Sequence, residues 1–316
     1  MVSRQPRLVA GAAGPRGRRP APGPQDGGGR GMTVLVLGRS GQVARELAAL
    51  PGMRCMGREA MDLRDPQACA AALRDIPCTA VINAAAWTAV DKAESEEAEA
   101  HLLNAEAPGV MARAAAELGL PFVQISTDYV FDGAGTEPHT PEDPVAPPNA
   151  YGRTKLAGEE AVAGAGGAHA ILRTSWVFSA HGANFPRTML RLGRERDRLT
   201  IVADQIGGPT FAGDIARACA AIAAQLQTRP EDSGIYHYSG APDVSWADFA
   251  REIFAQAGIS CAVEDIPTSA YPTPAVRPLN SRLDCSATKR IFGLDRPDWK
   301  AGLATMLQQI AEEESR

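Results

Sequence analysis

The sequence predicts an α/β protein with a doubly wound parallel sheet and a smaller C-terminal lobe. Between residues 33 and 173, short runs of β-branched and leucine residues alternate with helical segments, as in chains whose strands pair in parallel. A glycine-containing turn joins the first strand, Thr33-Val34-Leu35-Val36-Leu37, to the first helix. After Arg173 the alternation gives way to loops and isolated elements, which indicates the second lobe.

Residues 1–31 differ from the rest of the chain because Gly, Pro, Ala and Arg dominate them. This composition cannot bury enough apolar surface to order itself, so we expect a disordered N-terminal extension. Arg18-Arg19 does not fit a twin-arginine export signal, since a Pro-rich segment stands where an apolar one should follow. Translation that begins upstream of a natural start at Met32 is the simpler interpretation.

Net charge, hydropathy and cysteine spacing exclude several classes of function. The formal net charge is −5 although six arginines lie in residues 1–31, so the remaining chain is too acidic for a general nucleic-acid binder. No run approaches the roughly 20 apolar residues that span a bilayer, which indicates a soluble protein with no membrane partner. The six cysteines are scattered without C-x-x-C spacing, as is typical of reduced thiols in a cytoplasmic protein.

The turn after the first strand predicts a dinucleotide site of the Rossmann-like kind. Glycines at such a turn let backbone amides approach a pyrophosphate, and the helix N-terminus then favours its negative charge. The spacing from Gly38 to Ala44 is G-x-x-G-x-x-A, which taken alone also fits an ordinary turn; its place between strand and helix favours the cofactor. The predicted contacts are Gly38, Arg39, Ser40, Gly41, Gln42 and Val43.

The end of the second strand bears on which cofactor binds. An acidic residue there would hold the ribose diol of NADH, whereas a cation would suit the 2′-phosphate of NADPH. Arg58, with Arg39 as a second cation, favours NADPH, and Glu59 keeps NADH as the alternative. Two solvated surface arginines would also explain the pattern. We expect Asp62 and Leu63 one turn further along, facing the adenine.

Two further strands end in residues that suit a ligand site. The strand 79–83 leads into small residues that would let the backbone lie against the ribose and pyrophosphate, namely Ala84, Ala85 and Ala86. The strand 121–125 leads into Ser126-Thr127-Asp128. Because ligands of open α/β sheets bind at the carboxyl ends of strands, we expect these polar side chains to face the site.

A phenol and an ammonium lie one helical turn apart in Tyr151-Gly152-Arg153-Thr154-Lys155. Residues i and i+4 share a helix face, so the charge of Lys155 can lie beside the ring of Tyr151. A free tyrosine has a pKa of about 10, and a close, partly desolvated cation would lower that pKa by favouring the phenolate. The pair is therefore a candidate for proton transfer, and a solvated tyrosine and lysine on a helix surface are the alternative.

These segments divide the chain into two lobes. Residues 32–172 are predicted to form the dinucleotide-binding domain, with later segments at roughly 200–225 returning to it. Residues 173–199 and 226–316 are predicted to form mainly the substrate-binding lobe. The Pro-rich connection 137–148 is long enough to be a functional loop over the pocket.

Together the motifs resemble the dTDP-4-dehydrorhamnose reductase family of extended short-chain dehydrogenase/reductases, over about residues 32 to 313. The Y-x-x-x-K spacing alone marks the superfamily, and the other blocks narrow it to this family. The blocks that match in order and spacing are Gly38 to Gln42, Asn83 to Thr88, Val90 to Glu94, Ser126 to Phe131, Tyr151 to Glu159, Arg173 to Val177, Asp204 to Thr210 and Arg277 to Leu283.

The resemblance implies an enzyme that reduces dTDP-6-deoxy-L-lyxo-4-hexulose, a dTDP-linked 4-keto-deoxysugar, to dTDP-L-rhamnose with NADPH or NADH. Thr127 would hydrogen-bond the keto oxygen and Tyr151 would donate the proton. Lys155 would stabilise the phenolate and hold the nicotinamide ribose. Asp128 would position its neighbours.

The resemblance also implies residues that hold the substrate. Trp176 would pack against it, and Thr88 and Val90 would contact it. The planar cation of Arg277 suits the substrate pyrophosphate, and an ion pair that anchors the loop would explain Arg277 as well.

The resemblance also bears on metal binding and assembly, because some members of the family form dimers through a magnesium ion that two glutamates hold. Glu46 matches the first glutamate, but Gly213 stands where the second is expected, so the sequence argues against magnesium and leaves a monomer or a homodimer. The five histidines form no ligand spacing, and no metal site is predicted. A nucleotide-sugar epimerase or dehydratase, a reductase of another dTDP-4-keto-deoxysugar and a non-catalytic regulatory subunit are the alternatives on the same scaffold.

Overall fold

The computed structural model describes residues 33–315. The predicted disordered extension at residues 1–31 and the interpretation of Met32 as a natural start lie outside the described residues. Between residues 33 and 315, no helix is both long enough and apolar enough to cross a membrane. All six cysteines fall within this range, and each is a free thiol.

The strands, numbered in chain order, are β1 (Val34–Leu37), β2 (Met53–Met56), β3 (Ala80–Asn83), β4 (Phe122–Thr127), β5 (His169–Thr174), β6 (Val177–Phe178), β7 (Arg198–Val202), β8 (Ile206–Gly207), β9 (Thr210–Phe211), β10 (Gly234–His237), β11 (Val244–Ser245), β12 (Ala262–Ile266) and β13 (Asn280–Ser281).

The helices are α1 (Gln42–Ala48), α2 (Pro66–Asp75), α3 (Val90–Ala93), α4 (Glu97–His101), α5 (Ala107–Glu117), α6 (Ala150–Ala163), α7 (Phe185–Glu195), α8 (Ala212–Leu226), α9 (Trp246–Ala257), α10 (Ser286–Phe292) and α11 (Trp299–Glu314). A π-helical turn at Leu102–Glu106 joins α4 to α5. Single 3-10 turns occur at Asp128–Val130, Pro230–Asp232 and Thr268–Ala270.

The main sheet confirms the predicted fold class. Within the described chain it has six strands in the order β10-β5-β4-β3-β1-β2, and every neighbouring pair is parallel. The chain moves from β1 to one side through β2 and to the other side through β3, so the topological switch point lies at β1. Ligands of open α/β sheets bind in the crevice outside the carboxyl ends of the strands at such a point.

Helices cover both faces of this sheet. On one face α1 and α8 pack around Leu47 and Ile215, and on the other α2 and α5 pack around Leu73 and Met111. Because both faces are covered, β1 is apolar along its whole length, and β3, β4 and β5 gain polar side chains toward their carboxyl ends. The carboxyl ends of these strands and the loops that follow them therefore carry the polar chemistry.

Beyond β5 the described chain adds three smaller sheets, with the strand orders β11-β8-β13, β12-β7 and β6-β9. Their core is aromatic, and the ring of Phe249 meets those of Phe178 and Trp299 edge-on. The allocation of residues 226–316 mainly to a substrate-binding lobe stays a prediction. One segment of that range, β10, pairs with β5 and forms the edge of the main sheet.

Candidate active site

The glycine turn lies against the end of β3. Gly38 has a φ of +115°, and a Cβ at this position would come within 3.3 Å of the backbone of both Ala84 and Ala85. A side chain at residue 38 would therefore separate two of the predicted cofactor segments. Ala86 and Thr88 follow on the same edge with exposed side chains, and Val90 opens α3. The structure thus brings together backbone from β1 and β3, as a pyrophosphate site requires.

Within the turn itself, only some of the predicted residues are open. Ser40 and Gly41 are exposed, whereas Val43 is 8% exposed and packs in the core. The side-chain oxygen of Gln42, Oε1, accepts hydrogen bonds from Ser179 Oγ at 3.0 Å and from Asn184 Nδ2 at 2.9 Å. Gln42 thereby ties the start of α1 to the segment between β6 and α7.

The cations predicted for a 2′-phosphate are on the surface. Arg39 Nη1 lies 2.7 Å from Glu59 Oε1, and both side chains are more than 60% exposed. Arg58 is exposed as well and follows the end of β2 at Met56. Arg39 and Glu59, which sequence reasoning assigned to opposite cofactor preferences, are thus paired with each other.

Asp62 and Leu63 follow in the loop before α2. The side chain of Leu63 is 7% exposed and belongs to the core cluster on the α2 and α5 face. Asp62 accepts a hydrogen bond from the backbone of Arg64 at 3.1 Å. Of the two, only Asp62 has an accessible side chain.

Thr127 and Asp128 lie at the carboxyl end of β4 with only 5% and 2% of their surfaces exposed. Thr127 Oγ1 donates to Asp128 Oδ1 at 3.0 Å and accepts from Tyr129 N at 3.2 Å. Burial raises the pKa of Asp128 to about 6, against the opposing effect of hydrogen bonds from Ser281 and Thr127. Within residues 33–315, Asp128 Oδ2 is buried without a hydrogen-bond partner.

Tyr151 and Lys155 lie on α6, whose N-cap Asn149 accepts from Gly152 N at 2.8 Å. Lys155 is 3% exposed, and its Nζ donates to the carbonyl oxygen of Ile125 at 2.7 Å. Burial lowers the pKa of Lys155 to about 8, while the charge of Glu159 works against that shift.

Burial also governs the phenol. It raises the pKa of Tyr151 above the ordinary value, a hydrogen bond with Thr127 lowers that pKa, and the charge of Asp128 raises it. The ring of Tyr129 meets the Tyr151 ring edge-on, with centroids 5.6 Å apart. Tyr151 is therefore a neutral phenol at physiological pH, able to donate its proton, and Thr127 is within its hydrogen-bonding reach.

Sequence reasoning missed two polar groups beside this pair. Asn104, in the π-helical turn, holds the backbone of Trp87 through both its amide atoms, at 2.8 and 3.1 Å, and donates to Thr154 Oγ1 at 3.0 Å. Glu159, one turn after Lys155, forms a buried ion pair with Arg173 at 2.7 Å. The sequence held a signal for each. An asparagine in an Ala-rich helix, such as Asn104, needs a hydrogen-bond partner, and an arginine at the end of an apolar strand, such as Arg173, needs an acidic partner, which Glu159 provides.

Trp176 is held by two neighbours. Its ring stacks on that of Trp246, with centroids 3.6 Å apart and planes 9° from parallel. On Gly207, a Cβ would come within 2.9 Å of Trp176 Cε2. Trp176 also has a φ of 48°, a conformation that non-glycine residues rarely adopt and that surrounding structure must maintain.

Arg277 is 19% exposed and pairs with Asp91 at 2.8 Å. Ala275 N donates to the same carboxylate oxygen at 3.2 Å, so Asp91 anchors the loop that carries Arg277. Within residues 33–315, Arg277 Nη1 is buried without a hydrogen-bond partner. The loop-anchoring role is present, and one nitrogen of the guanidinium is buried without a partner among the described residues.

The sequence argument against magnesium at Glu46 stays a prediction, since an ion that pairs two chains would take ligands from both. Gly213 packs so closely on the Phe211 ring that a larger residue would clash with it. Glu46 lies 3.8 Å from His181, and burial raises the pKa of Glu46 although a hydrogen bond with Gln309 opposes that shift. No group of three or more His, Cys, Asp or Glu side chains within residues 33–315 could hold a metal ion.

Tyr151 and Lys155 decide the class of protein, because a nucleotide-binding α/β fold by itself supports many reactions. A tyrosine and a lysine one turn apart, on the helix that packs on the strand bearing Thr127, are the arrangement of the short-chain dehydrogenase/reductases. The fold and the site together thus define an oxidoreductase of that class.

Comparison with known proteins narrows the class. The family model described as the RmlD substrate binding domain matches residues 32–312. The dTDP-4-dehydrorhamnose reductase of Burkholderia thailandensis is 45% identical over 295 residues, which cover 88% of this chain and 99% of that protein. The chain therefore belongs to the dTDP-4-dehydrorhamnose reductase family, as the sequence motifs indicated.

Solved structures agree with this assignment. A dTDP-4-dehydrorhamnose reductase from Clostridium acetobutylicum superposes with a TM-score of 0.82 at 36% identity, covering 89% of this chain and all of that one. The Bacillus anthracis dTDP-4-dehydrorhamnose reductase, in complex with NADP, has a TM-score of 0.81 at 32% identity and covers 88% of this chain and 99% of that one.

Proposed function

We propose that this enzyme reduces the C4 ketone of dTDP-6-deoxy-L-lyxo-4-hexulose (dTDP-4-dehydro-6-deoxy-L-mannose) to dTDP-L-rhamnose, with NADPH as the preferred reductant. Membership of the family supports the reaction, and NADP in the Bacillus anthracis relative supports a nicotinamide cofactor. The observation that carries the proposal is the group at the carboxyl end of β4, where Thr127 and Lys155 are buried and the partly buried Tyr151 lies within hydrogen-bonding reach of Thr127. Burial of an ammonium beside a phenol costs stability, and a role in proton transfer explains why both groups stand at that place.

The cofactor would supply a hydride to the ketone carbon. Gly38 fits a dinucleotide because the turn has no side chain where its backbone meets Ala84 and Ala85. The exposed amides of Ser40 and Gly41 would bind the pyrophosphate at the start of α1. Arg58 would meet the 2′-phosphate, since it has an exposed guanidinium and Arg39 is already paired with Glu59.

Proton transfer belongs to Tyr151. Because its pKa is raised, the phenol holds a proton at physiological pH and delivers it to the keto oxygen as negative charge grows there. Lys155, charged below its pKa of about 8, stabilises the phenolate that remains. Thr127, whose hydroxyl donates to Asp128 in the free chain, redirects that proton to the keto oxygen. Burial of Thr127, Asp128 and Lys155, with partial burial of Tyr151, strengthens these interactions by excluding water.

Substrate binding would use the other end of the cleft. The unpaired Nη1 of Arg277 supports a contact with the substrate pyrophosphate, while Asp91 holds the rest of the guanidinium. The partly exposed ring of Trp176 would pack against the sugar. Thr88 and Val90, on the edge beyond β3, would complete the pocket.

The test is an assay of purified enzyme with a dTDP-4-keto-6-deoxysugar and each reduced cofactor in turn. We expect one NADPH to be consumed for each sugar reduced, measured from the loss of NADPH absorbance and the product by chromatography. An epimerase or dehydratase recycles its bound cofactor and consumes none, and a regulatory subunit leaves the sugar unchanged. No cofactor consumption with any dTDP-4-keto sugar would refute the proposal.

A further inference from the structure

Glu159 and Arg173 form an ion pair beneath the proton-transfer residues, with only 2% of each side chain exposed. Arg173 Nη2 donates to Glu159 at 2.7 Å and Nε at 3.0 Å. Ser126 Oγ donates to the same carboxylate at 2.5 Å. Ser126 and Arg173 lie opposite each other in the β4–β5 register, so one carboxylate of α6 spans two strands of the sheet.

These bonds belong to a regular attachment of α6 to β4. Lys155 holds the backbone of Ile125, and Glu159, one turn later, holds the side chain of Ser126. One turn earlier, Tyr151 faces Thr127, and a hydrogen bond with Thr127 lowers the pKa of the phenol. Three successive turns of the helix therefore face three consecutive residues of the strand; two of the turns are bonded to it, and the last of these attachments includes the ion pair.

Stability alone does not account for a buried ion pair. Apolar side chains of similar volume commonly hold a fold as well, because they avoid the cost of desolvating two charges. Apolar side chains would not, however, place a negative charge one helical turn from Lys155, as Glu159 does. Of the nearby titratable and charged groups, Glu159 on α6 acts on the charge of Lys155, and Arg173 on β5 is paired with Glu159. Tyr151 lies one turn earlier on α6, and Asp128 follows the end of β4.

We propose that the Glu159–Arg173 pair is a positioning pair for proton transfer, which fixes Lys155 on β4 and keeps its amine charged one helical turn from Tyr151. Glu159 supplies the negative charge, and Arg173 holds that carboxylate against the sheet. Arg173 also reaches the connection before α6, where its Nη1 donates to the carbonyl oxygen of Pro141 at 3.5 Å. The catalytic consequence rests on the proposed function, whereas the state of Lys155 does not.

Lysine-specific NMR tests the state of Lys155 without turnover. The chain contains only four lysines, Lys92, Lys155, Lys289 and Lys300. In protein labelled with carbon-13 at lysine Cε, the signal lost in Lys155→Met identifies Lys155, and its shift against pH gives the titration point. We expect Lys155 to titrate below the other three, and Glu159→Gln to lower its titration point by about half a pH unit or more.

The matched control is Glu97→Gln. It breaks an exposed two-bonded pair in which Arg153, on the same helix α6, donates to Glu97 at 2.9 and 2.8 Å. This variant should leave the Lys155 titration unchanged. The same titration point in folded Glu159→Gln and in the wild type would overturn the proposal.

A double variant separates positioning from stability. Glu159→Gln alone leaves Arg173 buried without its partner and should lower the melting temperature. Glu159→Gln combined with Arg173→Gln removes both charges, so we expect the melting temperature to recover while kcat stays about tenfold below wild type and the NADPH Kd changes less than twofold. Recovery of kcat together with the melting temperature would show a merely structural pair and overturn the proposal. Absence of turnover in the wild type would refute the proposed function instead, and the NMR result would stand.

Discussion

The two ends of the candidate site are built in opposite ways. At the glycine turn, backbone atoms of Gly38 and Ala84 meet without side chains, and the nearby Arg39–Glu59 pair is more than 60% exposed. At the end of β4, Thr127 and Lys155 are at most 5% exposed and are joined to their neighbours by hydrogen bonds. Water screens charges at the first end, whereas burial shifts pKa values at the second. Cofactor binding at the turn should therefore depend on shape and tolerate changes of charge. Catalysis at the buried end should instead be sensitive to changes of charge.

The largest effect expected at the buried end comes from Tyr151→Phe. Loss of the proton donor should lower kcat at least about a hundredfold, because acid catalysis of this kind contributes about 10² to 10⁴ in rate. The NADPH Kd, measured by fluorescence titration, should stay within a few fold. Tyr129→Phe is the matched control, since that ring touches Tyr151 and has no assigned proton, and it should retain most activity. Near-normal turnover of Tyr151→Phe would remove Tyr151 from the mechanism.

Asp128→Asn should reveal the cost of burying a carboxylate. The folded pKa of about 6 lies above the ordinary 3.8, so the folded chain holds this proton more tightly. The stability that this proton contributes is present below pH 3.8 and is lost as the pH rises through about 6. The neutral amide does not titrate. Relative to wild type, the free energy of unfolding of Asp128→Asn should therefore be about 2 kcal/mol higher at pH 8 than at pH 4. Urea unfolding at the two pH values measures this difference, and an equal effect at both would contradict the assigned burial cost.

Gly38→Ala probes the turn by shape alone. The added methyl would stand 3.3 Å from the backbone of Ala84 and Ala85 in a conformation that suits glycine. We expect the NADPH Kd to rise about tenfold, with a stability loss of about 1 to 3 kcal/mol. Gly119→Ala is the control: its φ is also positive, at +68°, but nothing lies within 4 Å of the new methyl. It should lose stability and keep its cofactor affinity; equal losses of affinity would place the cofactor elsewhere.

Glu59→Gln tests tolerance of charge and should have the smallest effect. It releases the exposed Arg39 from its partner, which should shift the ratio of the NADPH and NADH Kd values toward NADPH by less than about tenfold. The control Glu117→Gln breaks a comparable exposed pair with Arg74 and should leave the ratio unchanged. If the fold-change in this ratio exceeded the fold-change in NADPH Kd caused by Gly38→Ala, charge and not shape would govern cofactor binding at the turn.

The sequence was sufficient where the decisive spacing is local. The glycine turn lies between an apolar run and a helix, and Tyr151 and Lys155 are four residues apart on one helix. Thr127 was found because its strand ends there and parallel strands place their carboxyl ends at the ligand site. Each of these predictions needs only the geometry of one element and its immediate neighbour.

Other features depend on partners that no local pattern specifies. Glu159 needs Arg173 and Ser126, which become its neighbours only when α6 docks on β4 and β5. Trp246 lies 70 residues after Trp176 and meets it through the packing of α9. Gln42 was assigned to the cofactor from its place in the turn, yet its side-chain Oε1 accepts hydrogen bonds from Ser179 and Asn184. Short polar motifs indicate which residues need a partner, while tertiary packing decides which partner they receive.

The stacked indoles of Trp176 and Trp246 have an optical consequence. Two parallel chromophores with centroids 3.6 Å apart couple electronically, so their circular dichroism differs from the sum of two isolated indoles. Any molecule that tilts or displaces the Trp176 ring changes this signal. With Trp176 packed against the sugar, as proposed above, this signal would report binding of the substrate or of an unreactive analogue without turnover, and Trp246→Phe would abolish it.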